Sequence, residues 1–485
     1  MTSICFKYLT LEEIDRNYIT NIKYNRENKE KYGEVHTPMW FIELLFEKFS
    51  NEKWKNPKNK WLDTGAGQGR ISLYVYYKLM NGLMNIFPDR QTRHNHIIKN
   101  MLYMIEINRE NIEIIKTIFG NNVNVICENY LDESVKIIQP NIIIGNPPFN
   151  ANGIKKVPTN REKEKQNDGV TLWCSFIKRS LEILPVNGEL VYIVPIIWMK
   201  PDKAGIYNLL TIHNKIISIR SFTNTETNKI FNKEAQTPTC IVYLQKCNVN
   251  VEYLKQDIEL YDKVQKNYVS YSLVQGNPIP VNGASILHKI CLKMMIYNVP
   301  SMKSIVYKSN MPSIHTKIYD VNNTIKSETN YPNIHSCILD EKTASLKLMY
   351  SNKPCPYYGI EKLVLAHKMY GFPFYDCDGY FGLSNRDSYV IIIPEIEHLN
   401  NKERREIYEK YKRFLTSKFA IFLFSTTTYR MKYLEKYIFE LLPQIHLIKD
   451  EIPLDNYNDT MNFFGLNQLE KDYVNSHVKY DYIGF

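Results

Sequence analysis

Asn141-Ile142-Ile143-Ile144-Gly145-Asn146-Pro147-Pro148-Phe149-Asn150 decides how this chain is read. The first half is a β-branched apolar run of the kind that forms a strand buried on both faces of a parallel sheet. The second half ends that strand, because consecutive prolines offer no N–H to a ladder. The same prolines stiffen the backbone and restrict the dihedrals of Asn146. The expectation is a rigid turn at a strand's carboxyl end, where open α/β sheets bind ligands, presenting one amide and one exposed aromatic ring.

An amide carbonyl and a nearby backbone carbonyl both accept hydrogen bonds from an –NH2 group, and an aromatic ring stacks on a flat heterocycle. Together they fit an adenine lifted from its stack and held by its exocyclic amine. A turn in which Asn146 only caps and Phe149 is core would use the same four residues, so the decision falls to the rest of the chain.

Upstream, Trp61-Leu62-Asp63-Thr64-Gly65-Ala66-Gly67-Gln68-Gly69-Arg70 precedes a helical run from Ile71 to Met80. Strand, glycine-rich turn and helix are the parts of a mononucleotide-binding unit. The spacing Gly65, Gly67, Gly69 after Asp63 is not the one that cradles a pyrophosphate. An acid here repels phosphate and suits a cationic ligand, which favours the sulfonium and ammonium of S-adenosylmethionine over a dinucleotide. Before it, Thr37-Pro38 opens an amphipathic run through Phe49, with Thr37 expected at N-cap and Pro38 at N1.

After an insertion-like stretch at 81–98, Met101 to Ile107 reads as a second strand with Glu106 near its end, placed to take two ribose hydroxyls. Val123 to Cys127 is a third, leading to Asn129-Tyr130, where a polar group meets an adenine edge. The opening motif supplies the fourth. Glu189 to Pro195, Ile216 to Phe222 and Thr239 to Leu244 complete seven strands of a Rossmann-like α/β domain.

The remainder sets bounds. At 485 residues the chain has room for two or three domains. The divisions expected are a helical extension over 1–32, a catalytic domain over 33–250 and an α+β domain over 251–485, the last with helices at Lys402 to Leu415 and Met431 to Leu442. A net charge of +10 permits a polyanionic partner without establishing one. The 151–168 stretch is lysine-rich and reads as a loop. Nine scattered cysteines without a C-x-x-C fit a reducing, cytoplasmic setting and no metal site. The apolar run Leu190 to Met199 is too short to span a bilayer.

In this order Thr37-Pro38, Asp63 with its glycines, Glu106, Asn129-Tyr130 and Asn146-Pro147-Pro148-Phe149 resemble the gamma-class adenine-N6 DNA methyltransferases of restriction-modification systems. The resemblance is specific over about 33 to 245 and loose beyond. It implies S-adenosylmethionine on Thr37, Pro38, Asp63, Gly65, Gly67, Gly69, Glu106, Asn129 and Tyr130. It implies a flipped adenine held by Asn146 and the Pro147 carbonyl, stacked on Phe149 and packed by Phe231, with Pro148 in the turn. It also implies double-stranded DNA as substrate, a C-terminal target-recognition domain and a separate restriction endonuclease. Two features depart from the family: Asn129 stands where Asp is common, and the insertion after the first helix is long. Methyltransferases of RNA base amines or of protein glutamine use similar turns, and a catalytically inactive DNA-binding module is a further reading.

Overall fold

The structure, a computed structural model, describes residues 35–309 and 321–478 apart from 151–170, 202–203, 234, 236, 249, 323, 327, 341–342, 367–371, 386–387 and 431–433. The helical extension expected at 1–32 and the loop at 151–168 lie outside the described residues.

The chain divides into two compact units. One holds the chain to Leu260 with Ser272–Gln275, and the other holds Tyr261–Tyr271 with everything from Gly276.

In the first unit, α1 (Met39–Leu45) and α2 (Asn51–Lys55) precede β1 (Trp61–Asp63). Then follow α3 (Arg70–Gly82), α4 (Arg90–His96), β2 (Leu102–Glu106), α5 (Arg109–Phe119), β3 (Asn124–Cys127) and β4 (Ile142–Gly145). After these come α6 (Trp173–Ile183), β5 (Glu189–Pro195), α7 (Ile206–Thr211), β6 (Asn214–Phe222), α8 (Asn224–Ile230) and β7 (Thr239–Lys246). The sheet runs β3-β2-β1-β4-β5-β7-β6 and continues into β8 (Lys255–Asp262) and β9 (Asn267–Val274), the pair through which the chain passes between units.

β1 pairs in parallel with β2 on one side and β4 on the other, and β4 with β5. β7 is antiparallel to both β5 and β6. The central strands are closed on both faces, as their sequences require: Ile142, Ile143 and Ile144 are all buried, as is every residue of β5. The 81–98 stretch forms a turn and α4, whose N-cap Asp89 accepts from the Thr92 amide at 2.7 Å. A layer of aromatics covers the sheet near β1, where Trp54 lies flat on Trp61 with ring centroids 4.7 Å apart.

The second unit is larger in helix than its sequence suggested. It contains α9 (Ala284–Tyr297), α10 (Asn401–Thr416), α11 (Lys418–Ser425), α12 (Tyr457–Phe463) and α13 (Gln468–His477). Two four-stranded sheets accompany them. The helix expected at Met431 to Leu442 is a shorter 3-10 turn at Lys436–Glu440 among the described residues. Much of the aromatic and basic clustering is structural. Phe372 is buried, Tyr375 stacks on Tyr408 at 4.9 Å, and Arg404 pairs with Glu361 at 2.7 Å. Among the described residues no helix is long and apolar enough to cross a membrane.

Gly69 caps α3 with φ +85°, and a Cβ there would stand 3.2 Å from Ile115. Gly69→Ala is expected to lose about 1–2 kcal/mol of stability from the left-handed backbone alone, read as a lower midpoint in urea unfolding.

Candidate active site

The parallel pairing of β1, β2, β3 and β4 brings their carboxyl ends to one edge of the sheet. Asp63 is in register with Met104 on β2 and with Ile144 on β4, so the turns after β1 and β4 leave the sheet side by side. Asn146, Pro148 and Phe149 are half-buried and Pro147 is buried, which leaves Asn146 and Phe149 partly open to a ligand. Beyond the motif, the Phe149 carbonyl accepts from the Leu172 amide at 3.0 Å.

Asn146 donates from Nδ2 to the Thr37 hydroxyl at 3.3 Å, and its Oδ1 has no partner among the described residues. The helix start differs from the expected one. Pro38 itself is the N-cap, with ψ 146°, and α1 begins at Met39 without a side-chain cap. Thr37 lies one residue too early to cap, and its hydroxyl serves Asn146 instead.

The glycine turn is tied from below and from the side. The Ala66 amide donates to the Ile105 carbonyl at 3.0 Å. Glu106 accepts from the Gly67 amide at 2.7 Å with Oε2 and from the Asn108 amide at 2.8 Å with Oε1. The acid expected to meet a ribose thus also fixes the turn that a cofactor would lie on.

Asp63 is fully buried. Its Oδ2 accepts from the Ser72 hydroxyl at 2.9 Å, while Oδ1 has no hydrogen-bond partner among the described residues. Burial raises its pKa from 3.8 to about 7, only partly offset by the Ser72 hydroxyl and by the backbone amides of Gly65 and Ser72.

The remaining expected residues lie after β3 and after α8. Asn129 is exposed and closes its own turn, accepting from the Leu131 amide at 3.0 Å. Tyr130 points inward, 2% exposed, with its hydroxyl 2.9 Å from Ser180. Phe231 is a correction: it is 2% exposed and packs edge-on against Phe41 with centroids 5.6 Å apart, so its ring is part of the core rather than a platform for a base. The apolar setting between α1 and α8 explains this, since a phenyl ring there gains more from burial than from a wet rim.

Reasoning from sequence missed Thr64, Ser180 and Tyr192. The Tyr192 hydroxyl lies 2.6 Å from Thr64 and 2.7 Å from Ser180, directly behind the two turns. A tyrosine inside the apolar β5 run Glu189–Pro195 was the available signal, because a buried phenol needs a partner.

The antiparallel β7, wedged between β5 and β6 where β1 to β6 all share one direction, separates this architecture from dinucleotide-binding sheets. The fold is that of the Rossmann-like S-adenosylmethionine-dependent methyltransferases.

Residues 72–231 match the model of the Eco57I restriction-modification methylase family. That match lies within the stretch over which the motifs carry the resemblance to restriction-modification adenine methyltransferases, and it supports that resemblance. The chain is 27% identical over 239 residues to the Escherichia coli type II restriction enzyme and methyltransferase RM.Eco57I, an alignment covering 44% of this chain and 23% of that one. It is 27% identical over 189 residues to the type II methyltransferase M.AccI of Acinetobacter calcoaceticus, 34% of each. An uncharacterized adenine-specific methylase of Mycoplasma pneumoniae is 30% identical over 97 residues, covering 20% of this chain and 23% of that protein. The alignments thus span no more than about a third of these relatives' length. Among solved structures, the DNA-bound ATP-dependent type ISP restriction-modification enzyme LlaBIII is similar over 88% of this chain and 41% of that one, with 10% identity and a TM-score of 0.46.

The displaced titration of Asp63 gives stability a pH dependence. The folded state keeps the proton that the unfolded chain releases above about 3.8, so this residue's contribution is full below that pH and is lost as pH rises towards 7. The melting temperature of the wild type minus that of Asp63→Asn is expected to fall between pH 4 and pH 7 and to level off above, measured by scanning calorimetry without cofactor.

Proposed function

We propose that this chain transfers a methyl group from S-adenosylmethionine to the exocyclic N6 amine of an adenine flipped out of a specific site in double-stranded DNA. The observation that carries the reading is the juxtaposition of the Asn146 turn, whose amide oxygen has no partner among the described residues, with the glycine turn after Asp63.

The cofactor fits on its own chemistry. A fully buried acid whose Oδ1 has no partner among the described residues, Asp63, is suited to a cationic ligand, whose charge would favour its ionised form. Gly65, Gly67 and Gly69 would give backbone access, Glu106 would take the ribose, Asn129 would meet the adenine edge with Tyr130 supporting its turn from within, and the backbone of Thr37-Pro38, rather than the Thr37 hydroxyl, would hold the methionine end. When bound, the cofactor supplies a methyl group on an electrophilic sulfonium.

The chain's own residues make the adenine amine a nucleophile. Its lone pair is delocalised into the ring, and two acceptors, Asn146 Oδ1 and the Pro147 carbonyl, draw its hydrogens and localise that pair. Pro148 holds the two acceptors in register. Phe149 stacks on the base and offsets part of the few kcal/mol that flipping costs. Attack is in line, and the extra proton then leaves to solvent. Residues 251–485 read as the target-recognition domain, and a cognate restriction endonuclease is the expected partner.

The test is tritiated methyl transfer from S-adenosylmethionine to unmethylated duplex DNA, followed by nucleoside digestion. Label is expected in N6-methyladenine. Asn146→Ala should lower turnover by about 10²-fold or more while cofactor affinity stays within about twofold. Phe149→Ala should weaken base capture, and Phe149→Trp should restore much of it. Label in RNA or protein with none in DNA would overturn the substrate, and equal loss of turnover and cofactor binding in Asn146→Ala would make that residue structural.

A further inference from the structure

We infer that Thr37 is a positioning residue for the amide of Asn146, acting on the methyl acceptor's side of the site. The inference rests on the reading of Asn146 as the acceptor of the base amine.

The geometry is unusual for a threonine that precedes a helix. Thr37 is 5% exposed, and α1 has no side-chain cap hydrogen bond, so the hydroxyl does not serve the helix. It meets instead a residue 109 positions further on, accepting from Asn146 Nδ2 at 3.3 Å, near the long end of the range for such a bond. Thr37 and Asn146 each stand immediately before a proline, Pro38 and Pro147, and such residues are held in extended backbone. A β-branched side chain adds a stiff χ1 at Thr37. The soft torsions left between the two backbones are then chiefly those of the Asn146 side chain, and one hydrogen bond to its amine end limits them.

The bond steadies the plane of the amide. With Nδ2 towards Thr37, the carbonyl end of the same planar amide faces away from it, as a base amine requires. A hydroxyl both accepts and donates, so Thr37 limits the torsions of the Asn146 side chain, while the base amine itself selects the carbonyl end. Thr37 lies behind the amide rather than against the base.

Three variants separate this from a role in holding the cofactor or in folding. Thr37→Val keeps the shape and removes the hydroxyl. The expected result is a kcat at saturating S-adenosylmethionine and DNA about three- to tenfold lower, with the cofactor Kd by calorimetry within about twofold and an unchanged melting temperature. Thr37→Ser should restore kcat. In an Asn146→Ala background, Thr37→Val should have no further effect on the residual single-turnover rate. A raised cofactor Kd with kcat intact would assign the hydroxyl to the cofactor and overturn the inference. A lowered melting temperature without rescue by serine would make it structural, and also overturn it. Failure of Asn146→Ala to depress methyl transfer in the wild-type background would sink the reading of Asn146 itself, and is seen separately.

Discussion

The site depends on there being no side chain at Gly145. A Cβ at that position would stand 3.2 Å from the Thr64 hydroxyl, 3.3 Å from the Tyr192 ring and 3.6 Å from Asp63 Oδ1. β4 is clamped there between β1 and β5, with Ile144 in register with Asp63 and Gly145 with Tyr192. A bare backbone at the end of the strand lets it approach both neighbours this closely without displacing Thr64 or Tyr192. Close packing of this kind transmits small displacements. The distance between the turn after β4 and the turn after β1 is therefore set by the sheet and not by either loop.

The first unit was largely legible because each of its elements carries a signal that depends on local chemistry. β-Branched runs marked the strands, Gly65 to Gly69 marked a turn, and Pro147-Pro148 fixed where β4 stops. The seven strands lie where those signals put them, within a residue or two at the ends. What was not legible depends on partners distant in sequence. That Thr37 would serve Asn146 rather than a helix start, that Tyr130 would face Ser180, and that Phe231 would join Phe41 in the core are tertiary facts. Motif spacing places a residue near a site but does not say which way its side chain points.

The second unit was less legible for a related reason. Its main core is built by helices whose apolar faces merge with flanking turns, such as Phe419 to Phe424 in α11, which is apolar on nearly every side because it is buried on nearly every side. A short run of that kind has no period to reveal it. Its charged residues mislead in the same way. Lys362 is fully buried and donates to Asp376 at 2.5 Å and to the Ile360 carbonyl at 3.0 Å, while Asp376 also accepts from the Tyr380 and Phe381 amides. Such a pair specifies the turn that carries these aromatics more than it signals a ligand.

The hydroxyls behind the site have a fixed polarity. Ser180 sends its one proton to the Phe176 carbonyl, 2.7 Å away. It can then only accept from Tyr130 and Tyr192, which spend their own protons on it. Tyr192 is left as an acceptor, so Thr64 must donate to it. Every link of this ladder is committed in one sense, and it ends on a backbone carbonyl that cannot pass a proton on. The wall behind the glycine turn is for that reason electrically rigid: it orders four dipoles around Asp63 and Gly145 without offering a conduit for charge.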